Sequence, residues 1–406
     1  MLNSFMKNSV IMKIGLVCPA SLPATQFGGI LFLALDLARE AAKLDHDVVL
    51  YTTDLDFANN ATTFNKKLPR EETIENFTIK RSHTWLRYSL FFINPGIYFQ
   101  LLRDSPDIIH TIGIRSFQSF VAALISKRKK IPLVIADQGG LTTHPELKSG
   151  SLLKKFFIKL QSPFIKFIIN QSTKIIAANE YEKRIFLEFT SSSKIEIVRN
   201  GINLDILNSK TKNFKKKYEL TSPYILFIGR FSYIKGIDVL LKAIKILKDN
   251  NKLSNIKFVI MGVDFGYQKQ MYEMINEFDL KNHILIIKNP SREDVLGGYA
   301  ESEFLVLPSR WELSPLTPLE GFAFKKPVIS SDTHGIPSTI KNGYQGILVK
   351  SENSEQLAKC ILELLNNKEK LISLGSAGHK MVIDECNSIK MASNTLHIYE
   401  KILSKH

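Results

Sequence analysis

Short apolar runs bounded by glycine, proline or polar residues alternate with longer amphipathic stretches along this chain, and that pattern limits the fold more than any other feature. KIGLVC (13–18), DVVLYTT (47–53), PDIIHTIG (106–113), PLVIADQGG (132–140), TKIIAAN (173–179) and KIEIVRNG (194–201) read as strands. They are rich in Val, Ile and Leu, as strands covered on both faces must be. Between them, stretches such as ILFLALDLAREAAKL (30–44) have helical spacing. The pattern pauses at a lysine-rich segment, NSKTKNFKKKYELTSP (208–223). It restarts with YILFIGR (224–230), KFVIMG (257–262), HILIIKN (283–289), FLVLPS (304–309), KPVISSD (326–332) and GILVK (346–350). Alternation of this kind builds parallel sheets with helices on both faces. The two series predict an α/β protein of two doubly wound, Rossmann-like domains facing a central cleft. The expected bounds are 1–205 and 206–386, with the lysine-rich segment as the linker. The length, 406 residues, suits two cores rather than one.

Composition narrows the partners. Lys and Arg number 54 against 39 Asp and Glu, a net charge of +15. That excess favours nucleotides, phosphates, nucleic acid or an acidic membrane surface without choosing among them. Cys18, Cys360 and Cys386 are scattered, with neither metal-ligand spacing nor a disulfide framework, which points to a reducing compartment. The first eleven residues lack the apolar core of a leader, and Met12 opens the first strand. No run reaches the roughly 18 apolar residues of a membrane span. The expected location is therefore cytoplasmic.

Three strand-end segments carry candidate chemistry. Gly28-Gly29 stands between a strand and a helix, where glycine lets backbone approach a phosphate. In GRFSYIKG (229–236), Arg230 and Lys235 bracket a strand–helix turn and are placed to converge on a diphosphate. In RWELSPLTPLE (310–320), two prolines break any helix between Glu312 and Glu320. Thr317 is the expected N-cap, Pro318 the first helical residue and Glu320 the third, a capping box. Backbone N–H groups near Leu316 and Thr317 would then face an anion. Each segment alone has an ordinary reading: a flexible turn, a solvated basic loop, a helix cap.

In order and spacing, these segments resemble glycosyltransferase family 4, a group of retaining, nucleotide-sugar-dependent enzymes of the GT-B fold. IVRNGINLDIL (197–207) resembles the family's interdomain segment, and FIGRFSYIKGIDVLLKAI (227–244) its Gly-Arg and Lys-Gly signature. FVIMGVDFG (258–266) resembles the strand that follows. The block from Tyr299 to Val349 carries two glutamates with seven residues between them, Glu312 and Glu320. The resemblance implies that Arg230 and Lys235 bind the donor diphosphate and that Glu320 binds its ribose. It implies that Glu312 contacts the transferred sugar and that Gly29, beside Gly28, packs against the phosphates from the other domain. It also implies a last helix, about 387–406, that crosses back onto the N-terminal domain. No cofactor or divalent metal is expected; the substrate would be a UDP- or GDP-linked sugar. Asp54-Leu55-Asp56 looks like the Asp-x-Asp metal motif of the other large glycosyltransferase fold, but it follows a strand where aspartate is common in turns.

The chain departs from the family where many members carry a histidine after the strand matching PLVIADQGG. Gln138 stands there, beside Asp137, and Gln cannot serve as a general base. His144 and His110 are the other candidates for the sugar and acceptor side. Pro315, Lys326 and Ser338 also replace residues usual in the family. The acceptor is expected to be a saccharide or lipid-linked saccharide. LKSGSLLKKFFIKLQSPFIKFIIN (147–170), a basic amphipathic stretch containing Lys148, Lys154, Lys155, Phe156 and Phe157, would suit peripheral contact with an anionic inner membrane face. It would equally suit a helix packed on the sheet with solvated lysines. A sugar-nucleotide epimerase, a phosphorylase and a non-catalytic nucleotide-sugar binder remain alternatives. Nucleic-acid binding has only the net charge behind it, with no recognition motif, so no nucleic-acid partner is expected.

Overall fold

A computed structural model of the protein describes residues 10–57, 63–88, 91–139, 141–147, 152–208, 213–253 and 255–405; side chains at 146 and 152–158 also fall outside the description. The first half contains strands β1 (Lys13–Val17), β2 (Asp47–Thr53), β3 (Leu55–Phe57), β4 (Thr63–Phe64), β5 (Glu71–Ile74), β6 (Phe77–Ser82), β7 (Leu86–Tyr88), β8 (Phe91–Ile93), β9 (Ile108–Ile112), β10 (Leu133–Ala136), β11 (Lys174–Ala177) and β12 (Ile195–Ile197). Its helices are α1 (Gly29–Ala42), α2 (Gly96–Asp104), α3 (Phe117–Lys129), α4 (Leu152–Gln171) and α5 (Glu180–Leu187). One sheet runs in the order β12-β11-β10-β9-β1-β2-β6-β5 and is parallel except for β5. β3-β4 and β7-β8 are separate antiparallel ribbons.

The second half contains α6 (Phe214–Lys217), β13 (Tyr224–Ile228), α7 (Ile237–Asp249), β14 (Lys257–Gly262), α8 (Gln268–Glu277), β15 (Ile284–Lys288), α9 (Arg292–Glu301), β16 (Leu305–Leu307), α10 (Leu316–Ala323), β17 (Val328–Ser331), α11 (Ile336–Thr339), β18 (Gly346–Val349), α12 (Ser354–Asn366) and α13 (Lys368–Asp384). Its sheet, β15-β14-β13-β16-β17-β18, is wholly parallel. Strand order reverses between β1 and β9 in one sheet and between β13 and β16 in the other. Ligand crevices of α/β sheets lie outside the carboxyl ends of strands at such points.

The first sheet is covered on both faces. Ile14 and Leu16 of β1 join the apolar cluster under α1, while Val17 joins the one under α2 to α5. The last helix, α14 (Ser388–Leu403), returns from the second half and packs on α1. Its Leu396 and Tyr399 sit in the first half's core. The outgoing and returning chains cross side by side: Ile202 N–H donates to Cys386 O (3.1 Å), and Ser388 N–H donates to Ile202 O (2.8 Å). Gly201 is required there, because a Cβ would overlap the backbone of Asn387.

The lysine-rich segment, expected as the linker, packs on the second half where it is described. Its described part buries Phe214 against the rings of Tyr218 and Tyr224, and Lys217 pairs with Asp294 of α9 (2.5 Å). Two aromatics four residues apart meet on one helical turn and hold it to the second half. In α4, Ile165, Ile168 and Ile169 are buried. Phe164 and Phe167 set their rings edge-on against Phe120 of α3 (4.9 and 5.9 Å). The apolar side of α4 thus packs on the fold; Lys148 and the side chains of Lys154, Lys155, Phe156 and Phe157 lie outside the described residues. Among the described residues no helix is long and apolar enough to cross a membrane.

Candidate functional site

The carboxyl ends of β13 and β16 bring Arg230, Lys235 and Glu312 to the strand-order reversal of the second sheet. Lys235 ends a short turn closed by Gly236, whose φ of 66° and lack of a Cβ let the turn press on the Pro308 carbonyl. Lys235 Nζ donates to Glu312 Oε1 (2.5 Å), and Ser309 Oγ donates to the same oxygen (3.0 Å). The pair is partly buried. An ammonium carries three protons, so Lys235 keeps two for a ligand.

Arg230 reaches across to the first half. Its guanidinium lies over the Phe265 ring (4.5 Å) and donates through Nη2 to the Phe27 carbonyl. Gly28, with φ 103° and ψ −161°, caps α1 directly beneath it, and a Cβ there would stand 2.9 Å from Nη2. Its conformation therefore demands glycine, and a Cβ would push the Arg230 guanidinium aside. At the next residue, a Cβ on Gly29 would stand 3.1 Å from Cδ1 of Leu316, the first residue of α10. Leu316 packs against the cores of both halves. The amino ends of α1 and α10 thus meet beside Arg230, and helix amino ends favour anions.

The capping box is not formed. Helix α10 begins at Leu316 with Pro315 as its N-cap, and no side chain caps it. Proline is tolerated throughout a first turn because those N–H groups lack helical partners anyway. With prolines at 315 and 318, Leu316 and Thr317 carry the first turn's two N–H groups without an intrahelical partner. Glu320 is drawn away from that end by better donors. Arg292 Nη2 donates to its Oε1 (2.7 Å) and the Tyr299 hydroxyl to its Oε2 (2.8 Å). Burial, then the Glu320 charge, push Tyr299 well above the usual phenol range, so it stays a donor. Arg292 also lies over Phe32 of α1 (5.2 Å), a second bridge between the halves.

The first-half wall is the loop after β10. Asp137 is buried, accepts from Leu141 N–H (2.5 Å), and has its pKa raised by burial. Beside it, Glu182 accepts from the N–H groups of Ala178 (2.6 Å) and Gln138 (3.2 Å). Burial, then the Asp137 charge, push Glu182 up to about 8. The Gln138 amide, expected to face sugar, is instead taken up by a reciprocal pair with Asn200 (2.9 and 3.0 Å). Asn200 also donates to Ser314 O (3.2 Å), and Asn179 donates to Leu313 O (2.8 Å). These amides hold the loop that carries Glu312. Trp311 and Leu313 of that loop are buried in the first half's core. Trp311 Nε1–H donates to Thr143 Oγ1 (3.3 Å), and its ring meets His144 edge-on (4.6 Å).

His110 is not a cleft residue. It lies in the core, sharing a 2.5 Å hydrogen bond through Nδ1 with the Tyr399 hydroxyl of α14. Burial pushes its pKa down to about 3. The strand-end reading failed because His110 sits within β9 rather than beyond it. Asp54 accepts from His83 and from Thr84 N–H (2.9 Å), and Asp56 from Asn65 (3.4 Å). Among the described residues, no group of three or more His, Cys, Asp or Glu is placed to hold a metal. The sequence reading missed Arg292, Tyr299, Asn179 and Asn200. Only Asn200, in the RNG turn before the chain crossing, had a local signal.

Two family models match, "Glycosyltransferase Family 4" over residues 27–206 and "Glycosyl transferases group 1" over 208–381. A relative from Methanocaldococcus jannaschii, an uncharacterized glycosyltransferase, is 32% identical over 64% of this chain and 66% of its own. An Escherichia coli relative, UDP-Gal:alpha-D-GlcNAc-diphosphoundecaprenol alpha-1,3-galactosyltransferase, is 21% identical over 75% of this chain and 78% of its own. The matches span between half and two thirds of the length of the most similar curated relatives. Among solved structures, Anabaena HepE in complex with UDP and glucose superposes with a TM-score of 0.75 at 15% identity, over 96% of this chain and 99% of that one. The fold is thus GT-B.

Proposed function

The chain belongs to glycosyltransferase family 4, and on that premise we propose that it is a retaining enzyme moving a hexosyl group from a nucleotide sugar to a saccharide acceptor. One observation carries the reading. Arg230, Lys235 and the amino ends of α1 and α10 converge where Gly28 and Gly29 bring the two halves into contact. Breaking a sugar–phosphate bond puts negative charge on the departing diphosphate. Fixed cations and free N–H groups stabilise that charge more in the transition state than before it. Each such donor is worth about 3–4 kcal/mol, by analogy with oxyanion holes. With Arg230 and Lys235 supplying that charge, a divalent metal is not required.

Glu320 would accept from the ribose hydroxyls, held in place by Arg292 and Tyr299. Glu312 would fix Lys235 and accept from a hydroxyl of the transferred sugar. As the bond from the anomeric carbon to phosphate breaks, the acceptor oxygen bonds to that carbon on the same face. The acceptor's proton passes to the departing phosphate oxygen. The reaction then needs no carboxylate nucleophile, and Gln138 need not act as a base. We take the acceptor to be a lipid-linked saccharide or glycolipid at the cytoplasmic membrane face; the name of the Escherichia coli relative and the +15 charge support this.

Thermal unfolding with UDP, GDP, ADP and their sugar conjugates tests the reading. A ligand at 100 times its dissociation constant adds about 2.7 kcal/mol. One base should raise the midpoint of the wild type. A flat response from folded protein across the panel overturns the proposal, and binding without turnover would leave a nucleotide-sugar binder.

A further inference from the structure

The β7-β8 ribbon presents large apolar side chains to solvent at the edge of the site. Trp85 is 75% exposed and Leu86 63% exposed, with Tyr88 exposed beside them. The ribbon is anchored rather than loose: Phe92 is buried against Phe27, the residue before Gly28, and Gln118 of α3 donates to the Phe92 carbonyl (3.0 Å). The exposed edge therefore stands next to the cleft mouth. On α2, which packs on α3, Phe99 is 68% exposed, and Arg103 lies one turn further on the same face. On α4, Leu160 and Phe164 are exposed one turn apart, with exposed Lys159 and Lys166 around them.

Exposed cations stand on the same elements: Arg87 on the ribbon, Arg103 on α2, and Lys159 and Lys166 on α4. Exposed Trp, Tyr and Leu accompanied by cations match the chemistry of an anionic bilayer surface. There the rings sit among headgroups, alkyl chains take the aliphatic side chains, and lipid phosphates take the cations. A soluble monomer rarely shows such a patch without a partner.

We propose that the β7-β8 ribbon, with the adjoining outer faces of α2 and α4, docks the protein on an anionic lipid bilayer. This places the cleft mouth at the membrane surface. The proposal rests on the glycosyl-transfer reading for its purpose, but not for its test. The apolar side of α4, which the sequence pattern offered to the membrane, is largely occupied by α3; the ribbon is what remains uncovered.

The chain has two tryptophans, so Trp85 can be read alone. Trp85 is on the ribbon, and Trp311, 7% exposed, is buried in the first half's core next to Glu312. In a Trp311→Phe variant of the full chain, emission should shift to shorter wavelength with vesicles containing phosphatidylglycerol. It should shift little with phosphatidylcholine alone and revert at about 0.5 M salt. Leu86→Ser should lower the partition constant on the order of tenfold. A Trp85 signal unmoved by anionic vesicles, or binding undiminished by Leu86→Ser, overturns the proposal. So does a Trp85 response to soluble oligosaccharide with none to vesicles. Calorimetric titration with the nucleoside diphosphate reads the donor site on the same samples. No nucleotide binding together with a responding Trp85 would fault the donor site and leave the docking surface standing.

Discussion

Replacing Lys235 by alanine should weaken nucleotide binding without unfolding the protein. The ammonium pairs with Glu312 (2.5 Å), and both side chains are partly exposed. Pairs in that setting contribute at most about 1 kcal/mol to stability, so the variant should fold. A bound diphosphate, by contrast, would lose a charge-assisted hydrogen bond worth about 1.5–3 kcal/mol. That is a rise in dissociation constant of roughly 10- to 150-fold. Glu312 would also lose its counter-charge while facing an anion, which pushes the result toward the upper end. At a ligand concentration giving the wild type about 2.7 kcal/mol, a thirtyfold weaker variant retains about 0.9 kcal/mol. Turnover should fall further, by about 10²–10³, because charge on the leaving group grows in the transition state. Calorimetric titration and unfolding midpoints on the same samples read both effects. A dissociation constant within threefold of the wild type would refute the assignment of Lys235 to the diphosphate.

Gly28→Ala should cost about 1–3 kcal/mol in denaturant unfolding, because the conformation at φ 103° is nearly exclusive to glycine. It should also weaken nucleotide binding by displacing the Arg230 guanidinium. Arg310→Ala removes a forked pair to Asp238 (2.7 Å on both arms), a contact to Glu352 (2.7 Å) and stacking on Tyr233 (3.8 Å). It should destabilise the protein by about 3 kcal/mol, since the buried Asp238 keeps only the longer contact to Lys242 (3.9 Å). Glu182 is held protonated by burial and by the Asp137 charge, with its pKa raised from 4.5 to about 8. Its contribution is therefore complete below about 4.5 and declines as pH rises toward 8. Glu182→Gln should flatten the stability profile across that window.

The strands beyond Pro106 and in the second half were legible because apolar runs between turn residues leave few alternatives. Residues 55–93 were not, because β5 and the two ribbons are short and half exposed and bury no continuous stripe. At the site, glycines and strand-end cations were picked out by local chemistry: Gly28, Gly29 and Arg230 stand at the contact between the halves, and Lys235 pairs with Glu312 within the second half. What failed depended on partners distant in sequence. The Thr317 cap lost because Glu320 found Arg292 and Tyr299. Gln138 was engaged by Asn200, 62 residues away, and His110 by Tyr399, 289 residues away.

The most direct test of the central claim is a crystal structure with the nucleoside diphosphate that most raises the unfolding midpoint. The account predicts diphosphate oxygens within hydrogen-bond reach of Arg230 and Lys235, and ribose hydroxyls on Glu320. A nucleotide bound outside the cleft, or within it but with its ribose away from Glu320, would contradict it.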